Sequence, residues 1–498
     1  MKKLLTVIST IVLGLGATSC DSYLDINQDP NSPAESNMNA NIMMPAAEMN
    51  LAASYGDFLR IAGGYYAQHF SQLFGTSNYL DYSQFTMSAT RSSGTYTQLN
   101  ARTLKNLDYI LKFASADGEW GTYLAATTLR AFTYQILVDC YGEVPFTESM
   151  NASNVSPKYD EGDVIYAAMI DSLDAALSRA KSNDKVCTNM LFGTNTAAEW
   201  IPFANAVKLK MLMRESGVKD VQAQLDALVA EGNFPTEDIA FQGIWKNESG
   251  QMSPFYAEEF SSAWGSNQEN VVANIAIIGT MQSSSYTDPR IAAFFKTNEK
   301  GDYTGGVSGS NFSTSKSYKA AYWCRPVASY DMPVYLITVS EVEFFLSEYY
   351  AKKGNAAQAA AHYQAAIEAS FNTAGVSGAS TYISKNPYDQ DNYKKVLGVA
   401  KWVALAGVNN FEAWCEVRRM DYPAFGTVTG DDLYDNQSDA SYSPNLYVPG
   451  TLYTPIQVYG PVGPGKLLER WPYAESSSSR NGNSPDFPGY TTPVFWGK

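Results

Sequence analysis

Residues 340–367 read SEVEFFLSEYYAKKGNAAQAAAHYQAAI and carry the strongest structural signal in the chain. Ser340 followed three residues later by Glu343 is typical of a capping box, in which a Ser side chain and a Glu side chain satisfy the free backbone groups at a helix start. Gly354 and Asn355 then interrupt the apolar periodicity. The segment therefore predicts two helices joined by a tight turn.

The two predicted helices match the spacing of a tetratricopeptide hairpin. Small residues let the helices approach each other closely, while aromatic rings fill the groove between them. A generic helical hairpin is the alternative, and a single repeat forms no solenoid, so weaker copies would have to lie among the earlier helices. The matching positions are Leu346, Tyr350, Gly354, Ala359, Tyr363 and Ala366, with the small Ser347 in the first helix.

Helical periodicity also dominates the chain before this hairpin. Apolar residues recur every three to four positions over 123–141, 165–180, 201–211 and 221–228. The pattern breaks in two aromatic, Gly- and Ser-containing regions, 74–96 and 243–323, and again after Tyr422. We therefore expect a mostly α fold of tetratricopeptide-like helical hairpins, an α-superhelix, with a large loop-rich binding face.

The first twenty residues are typical of an export signal. Two Lys residues precede an apolar run from Leu4 to Leu15, and small residues lead to Cys20. A Cys at the cleavage point indicates a bacterial lipoprotein, although an ordinary secretory peptide is the alternative. We predict a signal peptide over residues 1–19, lipidation at Cys20, a tether over 20–35 and a single domain over 36–498.

Composition excludes several classes of protein. The 498 residues carry a formal net charge of −15, which argues against nucleic-acid binding because that depends on clustered Lys and Arg. With 45% apolar residues, the chain can bury a core. The other cysteines, Cys140, Cys187, Cys324 and Cys415, are widely spaced, so we expect buried thiols, although one pair could be bridged.

Signatures of common catalytic sites are absent. Only His69 and His362 occur, and no Cys/His cluster accompanies them, so we predict no metal site and no cofactor. The segment Gly460–Lys466 nearly spells a phosphate-binding loop, but Leu467 replaces the required Ser or Thr and two prolines remove N–H donors. We interpret it as a surface turn.

A series of motifs follows in order along the chain: Asp21–Asn31 after Cys20, Tyr141–Phe146, Trp200–Arg214, Asp288–Arg290, Glu341–Glu348, Lys401–Trp402, Glu412–Pro423 and Arg470–Asn481. In this order they resemble the motifs of the SusD/RagB family of Bacteroidetes outer-membrane nutrient-binding lipoproteins. In the last motif Pro472 precedes Tyr473, a small departure from the family pattern.

This resemblance implies a lipid-anchored, surface-exposed protein of the outer membrane. It implies attachment to membrane lipid through acylated Cys20 and a SusC-like TonB-dependent transporter as partner. It also implies non-catalytic capture of glycans, although some members are associated with peptides. The alternatives are a surface-anchored glycan hydrolase, because fifty acidic residues cannot exclude a carboxylate pair, and a tetratricopeptide scaffold that binds peptide or protein.

The two aromatic loop regions supply the candidate ligand contacts. Sugar rings place their apolar C–H faces on aromatic side chains, and their hydroxyls need polar partners. Packing within the loops is the alternative role for each residue, and the family motifs do not assign them. The predicted contacts are Tyr79, Tyr82, Trp264, Tyr286 and Trp323, with Asn78, Asp81 and Asn267 as polar partners.

Two charged motifs receive a structural interpretation instead of a functional one. Asp288 and Arg290 are predicted to form an ion pair. Arg418 and Arg419 could bind an anion, but Glu412 and Glu416 lie within one or two helical turns, so we expect them to pair there.

Overall fold

A computed structural model describes residues 38–73, 76–151, 153–261, 270–283, 286–309, 323–434 and 442–497. The predicted signal peptide, the tether and Cys20 lie outside these residues, as do Trp264 and Asn267.

Helices dominate the first half of the described chain. They are α1 Ala40–Ser54, α2 Arg60–Tyr66, α3 Leu80–Ser83, α4 Ala89–Thr97, α5 Lys105–Asp117, α6 Trp120–Tyr141, α7 Gly162–Leu177, α8 Trp200–Glu215 and α9 Gln222–Glu231. Two π-helical segments, Tyr55–Leu59 and Gln98–Leu104, continue α1 into α2 and α4 into α5. Gly118 and Gly232 end α5 and α9 with positive φ, a conformation that glycine adopts without steric cost.

In the second half of the chain, the longer helices lie between residues 339 and 420 and the others are shorter. A 3-10 turn covers Pro444–Leu446. The helices are α10 Pro254–Glu259, α11 Ile275–Met281, α12 Ile291–Phe294, α13 Val339–Lys352, α14 Ala356–Thr373, α15 Ala379–Lys385, α16 Tyr393–Leu405, α17 Asn410–Met420, α18 Gly430–Leu433 and α19 Glu475–Ser478.

Strands in the described residues form only short antiparallel pairs that fasten loops to the helices. The pairs are β1 Phe70–Gln72 with β5 Val271–Ala273, β2 Val144–Pro145 with β3 Tyr159–Asp160, β4 Ile239–Phe241 with β10 Val334–Ile337, β6 Gln282–Ser283 with β7 Tyr286–Thr287, and β8 Phe295–Lys296 with β9 Arg325–Pro326. In the pair between β1 and β5, Phe70 lies opposite Ala273. The mostly α prediction is confirmed.

The predicted hairpin is α13 and α14, which pack directly against each other. The buried Ser347 hydroxyl donates a hydrogen bond to the Ala359 carbonyl (2.7 Å), so the small residue allows the close approach. The predicted capping box is wrong by two residues. Thr338 caps α13 by accepting from the Glu341 N–H (3.1 Å), while Ser340 donates across the hairpin to the Ala366 carbonyl (2.8 Å).

The main hydrophobic core runs through nearly the whole described chain, from Met43 to Trp496. A second, smaller cluster gathers around Phe344, Tyr363 and Phe371, where the hairpin meets α15 and α16. The four predicted buried cysteines, Cys140, Cys187, Cys324 and Cys415, are indeed buried free thiols.

A network of buried ion pairs lies at the centre of the main core. Arg214 on α8 pairs with Asp139 of α6 and with Glu412 of α17. Lys210, one turn earlier, contacts Glu412 at 3.2 Å and Glu341 of α13 at 2.9 Å, and all these side chains have 0% exposure. Because each buried charge must be compensated, the network fixes how four helices meet.

The network continues along α17 towards α13 and α16. Glu416 accepts from Lys401 of α16 (2.9 Å) and from Arg419 (2.7 Å), and Arg419 also binds Glu348 (2.6 Å). The cations around Glu416 lower its pKa well below the usual range although burial opposes this, so the carboxylate remains ionised.

Removal of the central cation should be strongly destabilising. Lys210→Met leaves the buried Glu341 without its cation and leaves Glu412 with Arg214 alone, which should lower the free energy of unfolding by about 3–5 kcal/mol. Denaturant unfolding measures this. Lys353→Met is the matched control, because Lys353 and its partner Asp226 are both about two-fifths exposed. Equal losses in the two variants would contradict a central role for the network.

A buried carboxyl group on α1 should make stability depend on pH. Burial raises the pKa of Glu48 from 4.5 to about 8, although its Oε2 accepts from the Met190 N–H at 2.6 Å. The folded chain therefore keeps a proton that the unfolded chain loses above about pH 4.5, and stability falls as the pH rises to about 8.

Glu48→Gln should remove this dependence. Between pH 6 and 9 it should retain up to about 2.5 kcal/mol of stability that the parent chain loses. Urea unfolding at the two pH values measures the difference, with the exposed Glu231→Gln as control. If both variants lose the same stability as the parent, Glu48 does not hold the proton.

Candidate functional site

The predicted residues Asn78, Tyr79, Asp81 and Tyr82 lie together at the start of α3. Tyr79 precedes the helix with φ of 62°, a left-handed conformation that is uncommon for a bulky residue. This backbone turn places its ring on that of Tyr82, with 5.6 Å between centroids and 19° between planes. Asn78 and Asp81 flank the stack and are half-buried.

A buried glutamate, Glu259, anchors the tyrosine stack through a hydrogen bond. The Tyr79 hydroxyl donates to Glu259 Oε1 (2.6 Å), and the Asn270 N–H donates to Glu259 Oε2 (2.9 Å). Leu73 in turn donates its N–H to the Asn270 carbonyl at 2.7 Å. Leu73 and Asn270, which flank segments 74–75 and 262–269, are therefore hydrogen-bonded to each other, and Asn270 also links them to the Glu259 carboxylate.

Arg91 of α4 covers the stack on the solvent side. Its Nε donates to the Tyr82 hydroxyl (2.8 Å), and its guanidinium lies 5.1 Å and 5.7 Å from the centroids of the Tyr82 and Tyr79 rings. Asp81 is 3.8 Å away. The side chains of Arg91 and Asp81 are 39% and 35% exposed, so both can reach a ligand from solvent.

Electrostatics keep these groups in hydrogen-bonding forms instead of reactive ones. Burial and the neighbouring Glu259 raise the pKa of Tyr79 well above its usual range, so its hydroxyl stays a donor. Burial also raises the pKa of Glu259, and both of its oxygens already accept hydrogen bonds. Glu259 is fully buried and cannot touch a substrate in this arrangement.

The structure does not gather all the predicted contacts around this stack. Tyr82 and Trp323 are only 1% and 3% exposed, and Trp323 packs its edge against Tyr442 with 5.0 Å between centroids. Tyr286 belongs to the second hydrophobic cluster, where it faces Tyr382 at 6.3 Å. In this conformation Tyr82 and Trp323 present almost no ring surface to a ligand.

Two residues of the site were missed from the sequence. Arg91 stands nine residues after Tyr82, and the cap by Ser88 that begins α4 places it over the rings. That Ser-x-x-Arg spacing at a helix start could have indicated its position. Glu259 is 180 residues from Tyr79 and shows no local signal.

The charged motifs have mainly structural roles. Arg290 and Asp288 form the predicted buried pair (2.6 Å). Arg419 pairs with Glu416 as predicted, but Arg418 donates to the Asp139 and Glu469 carbonyls instead of to a carboxylate. Glu412, predicted as a partner of this Arg pair, binds Lys210 and Arg214.

The described residues contain neither a metal-binding cluster nor a helix suited to crossing a membrane. No group of three or more His, Cys, Asp or Glu side chains there is arranged to hold a metal ion. None of the helices described has both the length and the apolar character needed to cross a membrane.

Comparison with known proteins identifies relatives for most of the chain. Residues 30–441 match the profile of the SusD-like family described as starch-binding and associating with the outer membrane. No curated protein matches the sequence.

Solved structures share the fold at low sequence identity. A SusD homologue from Bacteroides uniformis is 20% identical with a TM-score of 0.69, covering 91% of this chain and 98% of its own. A homologue from Bacteroides vulgatus is 16% identical, with a TM-score of 0.70 and coverage of 91% and 97%. A chitin-binding homologue from Flavobacterium johnsoniae is 18% identical, with a TM-score of 0.67 and coverage of 92% and 96%.

The hydrogen bond between Tyr79 and Glu259 should stabilise the site. Tyr79→Phe leaves a buried carboxylate oxygen without its donor, so we expect a loss of about 1–3 kcal/mol in the free energy of unfolding. Tyr330→Phe, at a 36% exposed ring, is the matched control and should change little. An unchanged midpoint for Tyr79→Phe in chemical denaturation would contradict this role.

Proposed function

The chain belongs to the SusD-like family, and on this premise we propose that it captures oligosaccharides at the cell surface and delivers them, without cleavage, to a SusC-like TonB-dependent transporter. Acylated Cys20 would attach it to the outer membrane, and residues 20–35 would act as the tether. The family description as outer-membrane-associated and the sequence pattern before Cys20 support this location.

The ligand proposal rests on the polar side chains around the tyrosine stack that reach solvent, Arg91, Asp81 and Asn78. We call this group the polar fringe. Arg91 is held by one hydrogen bond and two ring contacts, so little conformational entropy is lost when it binds a ligand. Asp81, 3.8 Å from Arg91, adds acceptor oxygens, and Asn78, which directly precedes Tyr79 in the chain, adds an amide. Sugar hydroxyls need this mixture of donors and acceptors at short range.

The tyrosines then act mainly as a support for this fringe. Tyr79 is 6% exposed and Tyr82 only 1%, so hydrogen bonds contribute more to recognition than broad ring stacking does. Trp264 and Asn267 stay predicted contacts, because their segment is flanked by Ser261 and Asn270, next to Glu259.

A non-catalytic role is consistent with the state of the nearest carboxylate. Hydrolysis of a glycosidic bond needs two carboxyl groups that reach the scissile bond. Glu259 is buried and both of its oxygens already accept hydrogen bonds. Of the carboxylates in the polar fringe, Asp81 alone is half-exposed, and one such group is too few for hydrolysis. The chitin-binding relative from Flavobacterium johnsoniae also supports a binding function.

A glycan array on residues 21–498 would test the proposal, followed by calorimetry with the best ligand. Arg91→Ala should weaken binding at least about tenfold, or about 1.4 kcal/mol, with a melting temperature close to that of the parent. Arg179→Ala is the matched control, because Arg179 also covers an aromatic ring, Trp120, at 4.8 Å.

The outcomes separate the competing functions. Recovery of the intact oligosaccharide after incubation supports capture, whereas shorter products would indicate a hydrolase. No binding to any glycan, together with binding to peptides, would favour a tetratricopeptide scaffold. Equal effects of the Arg91 and Arg179 substitutions would overturn the proposed site.

A further inference from the structure

A cavity of about 380 Å³, separate from the site around Tyr79, opens at the C-terminal end of α17. Its walls are the end of that helix, the loop after Pro423 and the segment 465–469. It shares no lining residue with the fringe around Tyr79 and Arg91, and its volume lies within the range of small-ligand sites.

Glu469 gives this cavity an unused buried acceptor. Its Oε2 has no hydrogen-bond partner among the described residues, although it is inaccessible to solvent. The backbone of Glu469 is nevertheless fixed, because its N–H donates to the Tyr490 carbonyl (2.8 Å) and its own carbonyl accepts from Arg418. The carboxyl group thus lacks a donor in its buried position, and a ligand in the cavity would supply one when the side chain turns towards it.

The remaining charges favour a neutral ligand over an anion. Arg418 is committed to the Asp139 carbonyl (3.0 Å) and lies over the Trp414 ring at 3.7 Å. Of the other lining residues, Lys466 is cationic, while Asp421 and Glu469 are acidic. A phosphate would meet two carboxyl groups here, whereas a molecule rich in hydroxyl groups could donate to both and accept from Lys466.

Aromatic side chains lie in and beside the cavity. Phe425 forms part of its wall and is half-buried. Thr491, another wall residue, follows Tyr490, whose ring meets Tyr459 at 5.3 Å and Phe487 at 4.9 Å. Tyr459 is 37% exposed, so part of this aromatic group, which does not itself line the cavity, reaches solvent.

We propose that this cavity is a second carbohydrate subsite that binds one sugar ring. Glu469 and Asp421 accept hydrogen bonds from its hydroxyl groups, Lys466 donates to a ring oxygen, and Phe425 contacts its apolar edge. The inference rests on the proposed glycan-binding function but concerns a separate group of residues. The segment Gly460–Lys466, which nearly matches a phosphate-binding loop, thus supplies a lysine that binds sugar and does not form a nucleotide site.

Saturation-transfer NMR on the full mature chain would test this with millimolar glucose, galactose, mannose and N-acetylglucosamine, and with inorganic phosphate. At least one monosaccharide should receive saturation from the parent protein. Glu469→Ala and Lys466→Met should each reduce that signal at least fivefold, with Lys395→Met as control on another exposed lysine. Because Lys466 is exposed, the Lys466→Met variant should fold even if Glu469→Ala does not.

The Arg91→Ala variant separates this proposal from the function proposed above. If it loses oligosaccharide binding but keeps the monosaccharide signal, both proposals stand. If the signal survives in Lys466→Met and Glu469→Ala, or no monosaccharide gives a signal, the second subsite is overturned while the fringe at Arg91 is unaffected. Binding of phosphate that depends on Lys466 would overturn the choice of a neutral ligand.

Discussion

The rest of the structure depends on the buried charges around Arg214. This guanidinium bridges Asp139 and Glu412, which lie 273 positions apart along the chain, and neither carboxylate is exposed. Taking such groups out of water costs several kcal/mol for each ion, and only accurate pairing offsets that cost. The helices that carry them therefore have little freedom to slide or rotate against each other, and α6, α8 and α17 form a rigid centre.

This centre also orders the C-terminal segment, which the sequence presents as loop. The Trp496 indole N–H donates to Asp139 Oδ1 (2.7 Å), so the same carboxylate that receives Arg214 also holds the chain end. Arg470 binds Glu143 (3.0 Å) just beyond the end of α6. Residues rich in Pro, Gly and Ser are thus fixed by a few long-range polar contacts instead of by regular structure.

The sequence predicted the features that depend on neighbouring residues and missed those that depend on distant ones. The α13–α14 hairpin was recognised because its periodicity and its turn are local, while the cap was misplaced because Thr338 and Ser340 both offer a hydroxyl group near the helix start. Tyr79 and Tyr82 were each predicted as ligand contacts from the local composition of their loop. The support from Glu259 could not be foreseen, because it crosses 180 residues.

Burial of the aromatic rings changes the kind of recognition that the site can perform. The abundance of Tyr in the loops suggests flat stacking platforms, but the side chains that reach solvent around Tyr79 are Arg91, Asp81 and Asn78. Stacking tolerates many sugars, whereas fixed hydrogen-bonding groups penalise any ligand that leaves them unpaired. In the proposed glycan site, a guanidinium held by two tyrosines would favour selection by the position of hydroxyl groups, and the buried stack would provide the rigidity that this selection needs.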